Sequence, residues 1–323
     1  MALPMPGFFM PDTVGEVYIE RAALVAEEAV HYQQQHDITP AEHDTYRIAA
    51  FGIDCQVGFC TPGASLFVPG AVEDMQRTLM WLYGNLDKVT DLYFSLDTHS
   101  IFQIFHPAWW ADRNGCHPEP FTTITYAEVD SGTWTPVAHR EESLEYCRKL
   151  EEGGKYVLTI WPYHVLLGGV SHTLVPALME AAIFHSMVRQ CQTLFEIKGT
   201  HAMTEHYSVF SPEVEELGGQ SVGAFNESLF NMLLEYDRVY VFGQAKSHCV
   251  RATLYDMRDH IASIDPALME RVWILQDAMS PVPSPAVAPL PPALDFPRLA
   301  EEMLKDMAQA GMRVVHTSDP LGV

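Results

Sequence analysis

Basic residues are scarce in this sequence: 19 Lys and Arg stand against 42 Asp and Glu, which gives a formal net charge of −23. The acidic residues are spread along the whole chain, and such a surface repels phosphate backbones and anionic lipids. We therefore expect no nucleic acid and no membrane among the partners. The sequence also has no apolar run of about 18 residues and no basic stretch at its start, which predicts neither a membrane span nor a signal peptide. A cytoplasmic location is the expectation.

Cysteine is scarce as well. Six cysteines in 323 residues, with no paired CxxC spacing, argue against a disulfide scaffold. They are expected to be free thiols, one of them available as a nucleophile. With 48% hydrophobic residues the chain can bury a sizeable core, and it contains no internal repeat. These properties indicate a globular protein.

Short β-rich runs alternate with helical patterns along most of the chain. The runs cover residues 46–54, 91–97, 192–199, 238–244, 271–277 and 311–317, and the helical patterns cover 71–85, 172–190, 226–237, 247–261 and 297–310. Continuous apolar strands that alternate with helices are typical of right-handed βαβ crossovers. The sequence therefore predicts an α/β fold with three layers and a doubly wound, mainly parallel sheet. Function in such folds lies at the carboxyl ends of the strands.

Three segments depart from this alternation. Residues 1–45 are interpreted as an N-terminal extension with a helical stretch at 16–35, and residues 46–323 as the main domain. Within that domain, residues 107–155 lack sustained periodicity and are expected to form an insertion on the binding side, acting as a lid. Residues 281–297 hold seven prolines and are expected to form an extended loop.

Polar side chains stand at the ends of four predicted strands. They are Asp54, Asp97 followed by His99, Lys198, and Cys249 just beyond the fourth strand. A thiol, a carboxylate and an ammonium at one edge of a sheet can perform acyl chemistry, in which the thiolate attacks a carbonyl and the carboxylate carries the proton. The lysine is expected to depress the pKa of the thiol, and Ser247 is expected to cap the helix that begins near Cys249.

Five segments resemble, in order, the motifs of the nicotinamidase and pyrazinamidase branch of the isochorismatase-like cysteine hydrolases. They are GIDCQVGFCTPGASLFVPGA, DTHSIFQIFH, WPYHVLLGG, IKGTHAMTEHYSVF and GQAKSHCVRAT. The resemblance covers about residues 46–320 except the insertion. It implies an isochorismatase-like fold and hydrolysis of a C–N bond in a small carboxamide, with nicotinamide as the favoured substrate.

The resemblance also assigns catalytic roles. It implies that Asp54 is the general base, Lys198 the third member of the triad and Cys249 the nucleophile. It further implies an oxyanion hole formed by the backbone N–H groups of Ala245 and Cys249, next to a cis peptide bond between Gln244 and Ala245.

A divalent metal and an aromatic substrate pocket follow from the same resemblance. Asp97, His99 and His164 would hold the ion, with His106 left open as a further ligand, and Phe59 and Trp161 would enclose the substrate ring. Mixed carboxylate and imidazole ligands suit Zn²⁺, Mn²⁺ or Fe²⁺ better than Ca²⁺, and zinc is the expectation. The other histidines, including His206 and His248, are interpreted as surface or packing residues.

Two alternatives stay open. The same triad could hydrolyse another small carboxamide or carbamoyl compound, or the chain could be a non-catalytic homologue that binds a metabolite. Isochorismate hydrolysis is disfavoured because the enzymes that perform it lack the nucleophilic cysteine. A homo-oligomer also stays open.

Overall fold

The computed structural model describes residues 2–153, 157–286 and 288–321. Its central sheet consists of β1 (Ile48–Ile53), β2 (Asp91–Asp97), β7 (Leu194–Lys198), β10 (Arg238–Gly243), β11 (Val272–Leu275) and β12 (Arg313–Val315). All five pairings are parallel, and the spatial order is β12-β11-β10-β1-β2-β7. Each strand coincides with one of the predicted runs. The prediction of a parallel α/β sheet is confirmed.

The strand order reverses at the centre of the sheet. The chain proceeds outward from β1 to β2 and β7, then returns to β10 on the other side of β1 and proceeds to β11 and β12. Right-handed crossovers in opposite directions place their helices on opposite faces. The two central strands, β1 and β10, therefore diverge at a topological switch point, where ligands bind in open α/β sheets.

The helices cover both faces of the sheet. They are α1 (Ala22–His36), α2 (Val57–Cys60), α3 (Ala71–Gly84), α4 (Tyr126–Asp130), α5 (Arg140–Gly153), α6 (Pro176–Arg189), α7 (Glu227–Leu234), α8 (Cys249–Ile264) and α9 (Phe296–Ala310). Helices α3 and α6 pack together and connect the strands on one side of the switch point, while α8 and α9 pack together and connect those on the other. Helix α1 of the N-terminal extension packs against α6. None of the described helices is long and apolar enough to cross a bilayer.

The insertion is more ordered than its sequence pattern indicates. It contains α4, α5 and a short antiparallel ladder in which β3 (Trp110–Ala111) pairs with β5 (Thr135–Pro136). Its β4 (Thr123–Ile124) pairs with β6 (Leu158–Thr159), which lies just after the insertion. Trp109 and Trp110 are 1% and 0% exposed. The insertion is thus a packed layer with buried tryptophans, and its role as a lid stays a prediction; its residues 154 and 155 lie outside the described ranges.

Two further connections complete the chain. A short hairpin joins β8 (Glu216–Leu217) to β9 (Gln220–Ser221). The proline-rich segment 281–297 leads into α9 and, among its described residues, has one short 3-10 turn at Pro292–Leu294 before that helix starts. This segment matches the predicted extended loop, since proline cannot donate a backbone hydrogen bond.

Candidate active site

A buried lysine joins the polar strand ends. In the β2–β7 ladder, Asp97 and Lys198 are direct neighbours. The Lys198 Nζ atom lies 2.9 Å from Asp54 Oδ2, 3.0 Å from Asp97 Oδ1 and 3.6 Å from Cys249 Sγ. All four residues are buried. The structure therefore brings the predicted acid, lysine and thiol together around one ammonium group.

Two glycines allow this close approach. Gly243 at the end of β10 has φ 125°, and a Cβ there would lie 2.0 Å from the Ile53 carbonyl oxygen. Gly199 after β7 has φ 79°, and a Cβ there would lie 2.6 Å from Asp97 Oδ1. Because a side chain would collide in both places, the strand ends require glycine.

The Asp54 carboxyl group is held in place by its neighbours. Asp54 follows β1 with φ 48°, its N–H donates to Ser95 Oγ, and the Ser95 hydroxyl donates to Asp54 Oδ1 at 2.6 Å. Burial raises the pKa of Asp54, and the positive charge of Lys198 opposes this shift. At Asp97, by contrast, His99 and Lys198 outweigh burial and hold the pKa below its usual range. The two carboxyl groups therefore differ in basicity, and Asp54 is the better proton acceptor.

The thiol lies at the start of α8. Cys249 is the first residue of the helix, and His248, not the expected Ser247, occupies the N-cap position. Ser247 Oγ instead accepts a hydrogen bond from the Val282 N–H. Burial raises the pKa of Cys249 well above its ordinary value, although Lys198 acts in the opposite direction. Lys198 lowers the thiol pKa as expected, but burial outweighs it and the net shift is upward, so formation of the thiolate needs a base.

Two backbone N–H groups at the start of α8 are available as donors. The peptide bond between Gln244 and Ala245 is cis, as the resemblance implies. Within the described ranges, the N–H groups of Ala245 and Cys249 donate to no other protein atom, whereas those of His248 and Val250 donate to the Ala245 carbonyl oxygen. Free donors beside a nucleophile are what a developing oxyanion requires.

Three histidines converge next to Asp97. One ligand atom from each of His99, His106 and His164 lies within 4.8 Å of the others, and all three side chains are buried. Asp97 contacts two of them, with its carboxylate oxygens 3.1 Å from His99 Nε2 and 4.0 Å from His164 Nε2. His106, left open as a ligand by the sequence, thus belongs to the cluster, while Asp97 is shared between the cluster and Lys198.

These residues fit a divalent metal. Burial lowers the pKa of His106 to about 4 and that of His164 well below its usual range, so both rings are neutral and have lone pairs to offer. His164 Nδ1 lies 2.7 Å from the Pro162 carbonyl oxygen, which fixes the ring and leaves Nε2 as the donor atom. Both nitrogens of His106 and Nδ1 of His99 are buried and make no hydrogen bond. A buried imidazole nitrogen without a hydrogen-bond partner is free to ligate an ion.

A partly open cavity is lined by residues of both groups, with about 470 Å³ of empty space that includes its opening to solvent. Its described lining includes Cys249 and Ala245, His99 and His164, and the rings of Phe59 and Trp161. The two aromatic side chains are 5% and 4% exposed. One cavity therefore holds the thiol, two of the histidines and two aromatic rings.

Comparison with known proteins bears on the fold. No protein-family model and no curated protein matches the sequence. Among solved structures, a nicotinamidase/pyrazinamidase from Acinetobacter baumanii covers 85% of this chain and 99% of its own, at 19% identity and a TM-score of 0.53. The yeast nicotinamidase bound to the inhibitor nicotinaldehyde covers 83% and 99%, at 18% identity and a TM-score of 0.51. The chain has the nicotinamidase fold.

The cavity contains polar residues that the sequence analysis did not identify. Glu205 Oε1 accepts hydrogen bonds from Trp161 Nε1 at 2.7 Å and from the Tyr207 hydroxyl at 2.5 Å. Burial raises the pKa of Glu205 to about 8 even though Tyr207 donates to it. His206 and His248 also line the cavity, so their interpretation as surface or packing residues is incomplete. The spacing of Glu205 and Tyr207 was a signal, since residues two apart face the same side of an extended segment.

Proposed function

We propose that this protein is a cysteine amidohydrolase that converts a small aromatic carboxamide, with nicotinamide as the favoured substrate, into its carboxylic acid and ammonia. The observation that carries the proposal is the buried Lys198 ammonium, within 3.6 Å of Asp54, Asp97 and Cys249. Two anions around one buried cation are stable only as a closely paired set. The nicotinamidase fold and the adjoining aromatic cavity support the same assignment.

The first half of the reaction is acylation of the thiol. Asp54 takes the proton from Cys249, and the sulfur attacks the carboxamide carbon to form a tetrahedral intermediate. The N–H groups of Ala245 and Cys249 stabilise the oxyanion, which is worth a few kcal/mol for such donors. Asp54 then returns the proton to the departing nitrogen, and the C–N bond breaks to release ammonia and leave a thioester.

The second half is hydrolysis of that thioester. Asp54 accepts a proton from water as the water oxygen attacks the thioester carbon, and the sulfur leaves as the acid is formed. The proton on Asp54 passes back to Cys249 and restores the resting state. Lys198 stays charged between Asp54 and Asp97, because their negative charges raise its pKa despite burial. Its positive charge stabilises the negative charge both on the Asp54 carboxylate and, after proton transfer, on the Cys249 sulfur.

A divalent metal held by His99, His106, His164 and Asp97 would supply a Lewis-acid position for a ring nitrogen of the substrate. Neutral imidazole and carboxylate donors suit Zn²⁺, Mn²⁺ or Fe²⁺. The chain's own contribution at this end of the cavity is to keep the histidines neutral and oriented and to hold the substrate ring between Phe59 and Trp161.

Ammonia release from a panel of carboxamides tests the proposal. Nicotinamide, pyrazinamide, benzamide and carbamoyl compounds are compared with metal-loaded wild type, with Asp54→Asn and with Asp91→Asn as a matched control at the opposite end of a strand. We expect turnover of the pyridine and pyrazine amides, its loss in Asp54→Asn, and its retention in Asp91→Asn.

The same panel separates the alternatives. Preferred turnover of a carbamoyl compound would move the assignment to another C–N hydrolase with the same triad. No ammonia from any amide, together with a Cys249 thiol that iodoacetamide does not alkylate, would contradict the proposal and favour a binding protein.

A further inference from the structure

A second, larger space adjoins the catalytic cavity. It is an open groove with about 930 Å³ of empty space, part of it open to solvent, and it shares two lining residues, Leu66 and Val282, with the cavity. Phe67 and Pro69, which follow Leu66 in the chain, form part of its wall. The catalytic cavity therefore opens beside an apolar surface far larger than a nicotinamide ring requires.

The other walls come from β6 and from two of the segments that depart from the α/β alternation. Phe121 and Thr123 belong to the insertion, Thr159 belongs to β6, and residues 283–286 with Leu294 belong to the proline-rich segment. No charged side chain is among the described residues that line the groove. In a protein with a net charge of −23, an uncharged groove selects for an apolar occupant.

A row of rings connects the cavity to the groove. Phe121 lies edge-on to Trp161 at 5.8 Å, Trp161 edge-on to His248 at 5.3 Å, and His248 edge-on to Phe296 at 4.6 Å between ring centroids. Trp161 and His248 line the cavity, while Phe121 and Phe296 line the groove. A substrate substituent that extends past Trp161 would therefore contact aromatic rings.

We propose that the groove is a substrate subsite for an apolar substituent, so that the preferred substrates are primary carboxamides whose acyl part carries an alkyl or aryl extension. This inference rests on the proposed function, because it places the reacting carboxamide at Cys249. The groove adjoins the cavity, with Leu66 and Val282 lining both, and this adjacency favours an extension of the substrate over an independent partner. Burial of each added methylene is worth about 0.8 kcal/mol, or a factor of three to four in affinity.

The test is a series of ring-alkylated nicotinamides from methyl to butyl. Two quantities are measured for each: kcat/KM for ammonia release, and the concentration that halves the rate at which iodoacetamide alkylates Cys249. We expect both to improve by about two- to fourfold per methylene. The protection measurement needs no turnover, so the subsite is tested even if the proposed reaction fails.

Variants in the groove complete the experiment. Ala286→Trp and Ser284→Trp fill the groove and should abolish the gain from alkylation while nicotinamide itself reacts as before. Ala262→Trp, on the exposed side of α8, is the matched control and should keep the gain. Turnover of nicotinamide with a flat or falling series would overturn the subsite and leave the proposed function standing. A flat series combined with a dimer that Ala286→Trp disrupts would assign the groove to a second copy of the chain instead.

Discussion

The floor and the roof of the candidate site are built in different ways. The floor consists of Asp54, Asp97 and Lys198 at the ends of adjacent parallel strands, where the β2–β7 ladder pairs Asp97 with Lys198 and Ser95 holds Asp54. We call the roof the insertion and the proline-rich segment, which line the groove beside the cavity, and the ladders at the insertion are only two residues long. The floor therefore holds its catalytic groups in the fixed positions that proton transfer requires. The roof consists of loops and short ladders, which can vary to suit different substrates.

The largest expected effect comes from comparing a thiol of the floor, Cys249, with a thiol of the insertion, Cys147. Cys249→Ala should reduce turnover by about four orders of magnitude or more, because no other group on the floor can form the thioester. Cys147→Ala, at a buried thiol in α5 of the insertion, should keep kcat and lower the melting temperature. Steady-state kinetics and thermal melts of both variants check this. Comparable activity in the two variants would refute the division into floor and roof.

Loss of the histidine cluster should have the next largest effect. His99→Ala should remove the bound metal and raise KM for nicotinamide by about 10- to 100-fold, since a ring nitrogen lies far from the reacting carbon. His172→Ala, which removes an imidazole outside the cluster, should keep the metal. Metal content by elemental analysis is the readout besides kinetics. Benzamide has no ring nitrogen and should be a poor substrate of every variant. If metal-loaded wild type turned over benzamide and nicotinamide equally well, this result would count against coordination of the ring nitrogen.

Glu205 provides a sharper test, because it lines the cavity and holds Trp161, whose ring contacts Phe121 of the insertion. Glu205→Ala removes the acceptor for the indole N–H and the Tyr207 hydroxyl, and it should raise KM about tenfold with a smaller change in kcat. Glu205→Gln retains an acceptor oxygen and should restore KM to near the wild-type value. A fall in kcat that Gln does not rescue would mean that the carboxyl group takes part in the chemistry.

The raised pKa of Glu205 also predicts that the free energy of unfolding depends on pH. Burial raises the pKa of Glu205 from 4.5 to about 8, so the folded state binds this proton more tightly than the unfolded chain does. Its contribution to the free energy of unfolding is full below pH 4.5 and is lost as the pH rises to about 8. Glutamine does not titrate. The free energy of unfolding of Glu205→Gln should therefore rise relative to that of wild type as the pH increases across that range. Urea unfolding at several pH values measures the gain, and a constant difference would contradict the shift.

The sequence predicts the floor far better than the roof. The central strands β1 and β10 are apolar runs buried on both faces, whereas the edge strand β7 leaves Leu194, Phe195 and Ile197 exposed, and the strand ends carry the residues of the triad. The surroundings of the floor depend on contacts between distant segments: Glu205 is paired with Trp161, 44 positions away, and the ladders at the insertion are too short to leave a periodic pattern. The raised pKa of Cys249 was also missed, because burial is a property of the packed chain.

The smallest expected effect on activity lies outside both regions, in the N-terminal extension. Arg21 donates from its backbone and its guanidinium to Glu180, which is buried on α6. Arg21→Ala should lower the free energy of unfolding by about 1–2 kcal/mol, because it leaves a buried carboxylate with fewer donors. The exposed Arg148 pair with Glu152 is the control, and Arg148→Ala should change stability by less than about 0.5 kcal/mol. Neither variant should alter kcat/KM.

The pH profile identifies the cause of that loss. Burial alone would raise the pKa of Glu180, but the hydrogen bonds from Arg21 outweigh it and hold the pKa below its ordinary value of 4.5. A depressed carboxyl pKa contributes stability that is present above 4.5 and disappears as the pH falls through the folded-state value. The gap in unfolding free energy between wild type and Arg21→Ala should therefore narrow below pH 4.5. If kcat/KM fell together with stability in Arg21→Ala, the extension would support the site itself, and the contrast between floor and roof would need a third element.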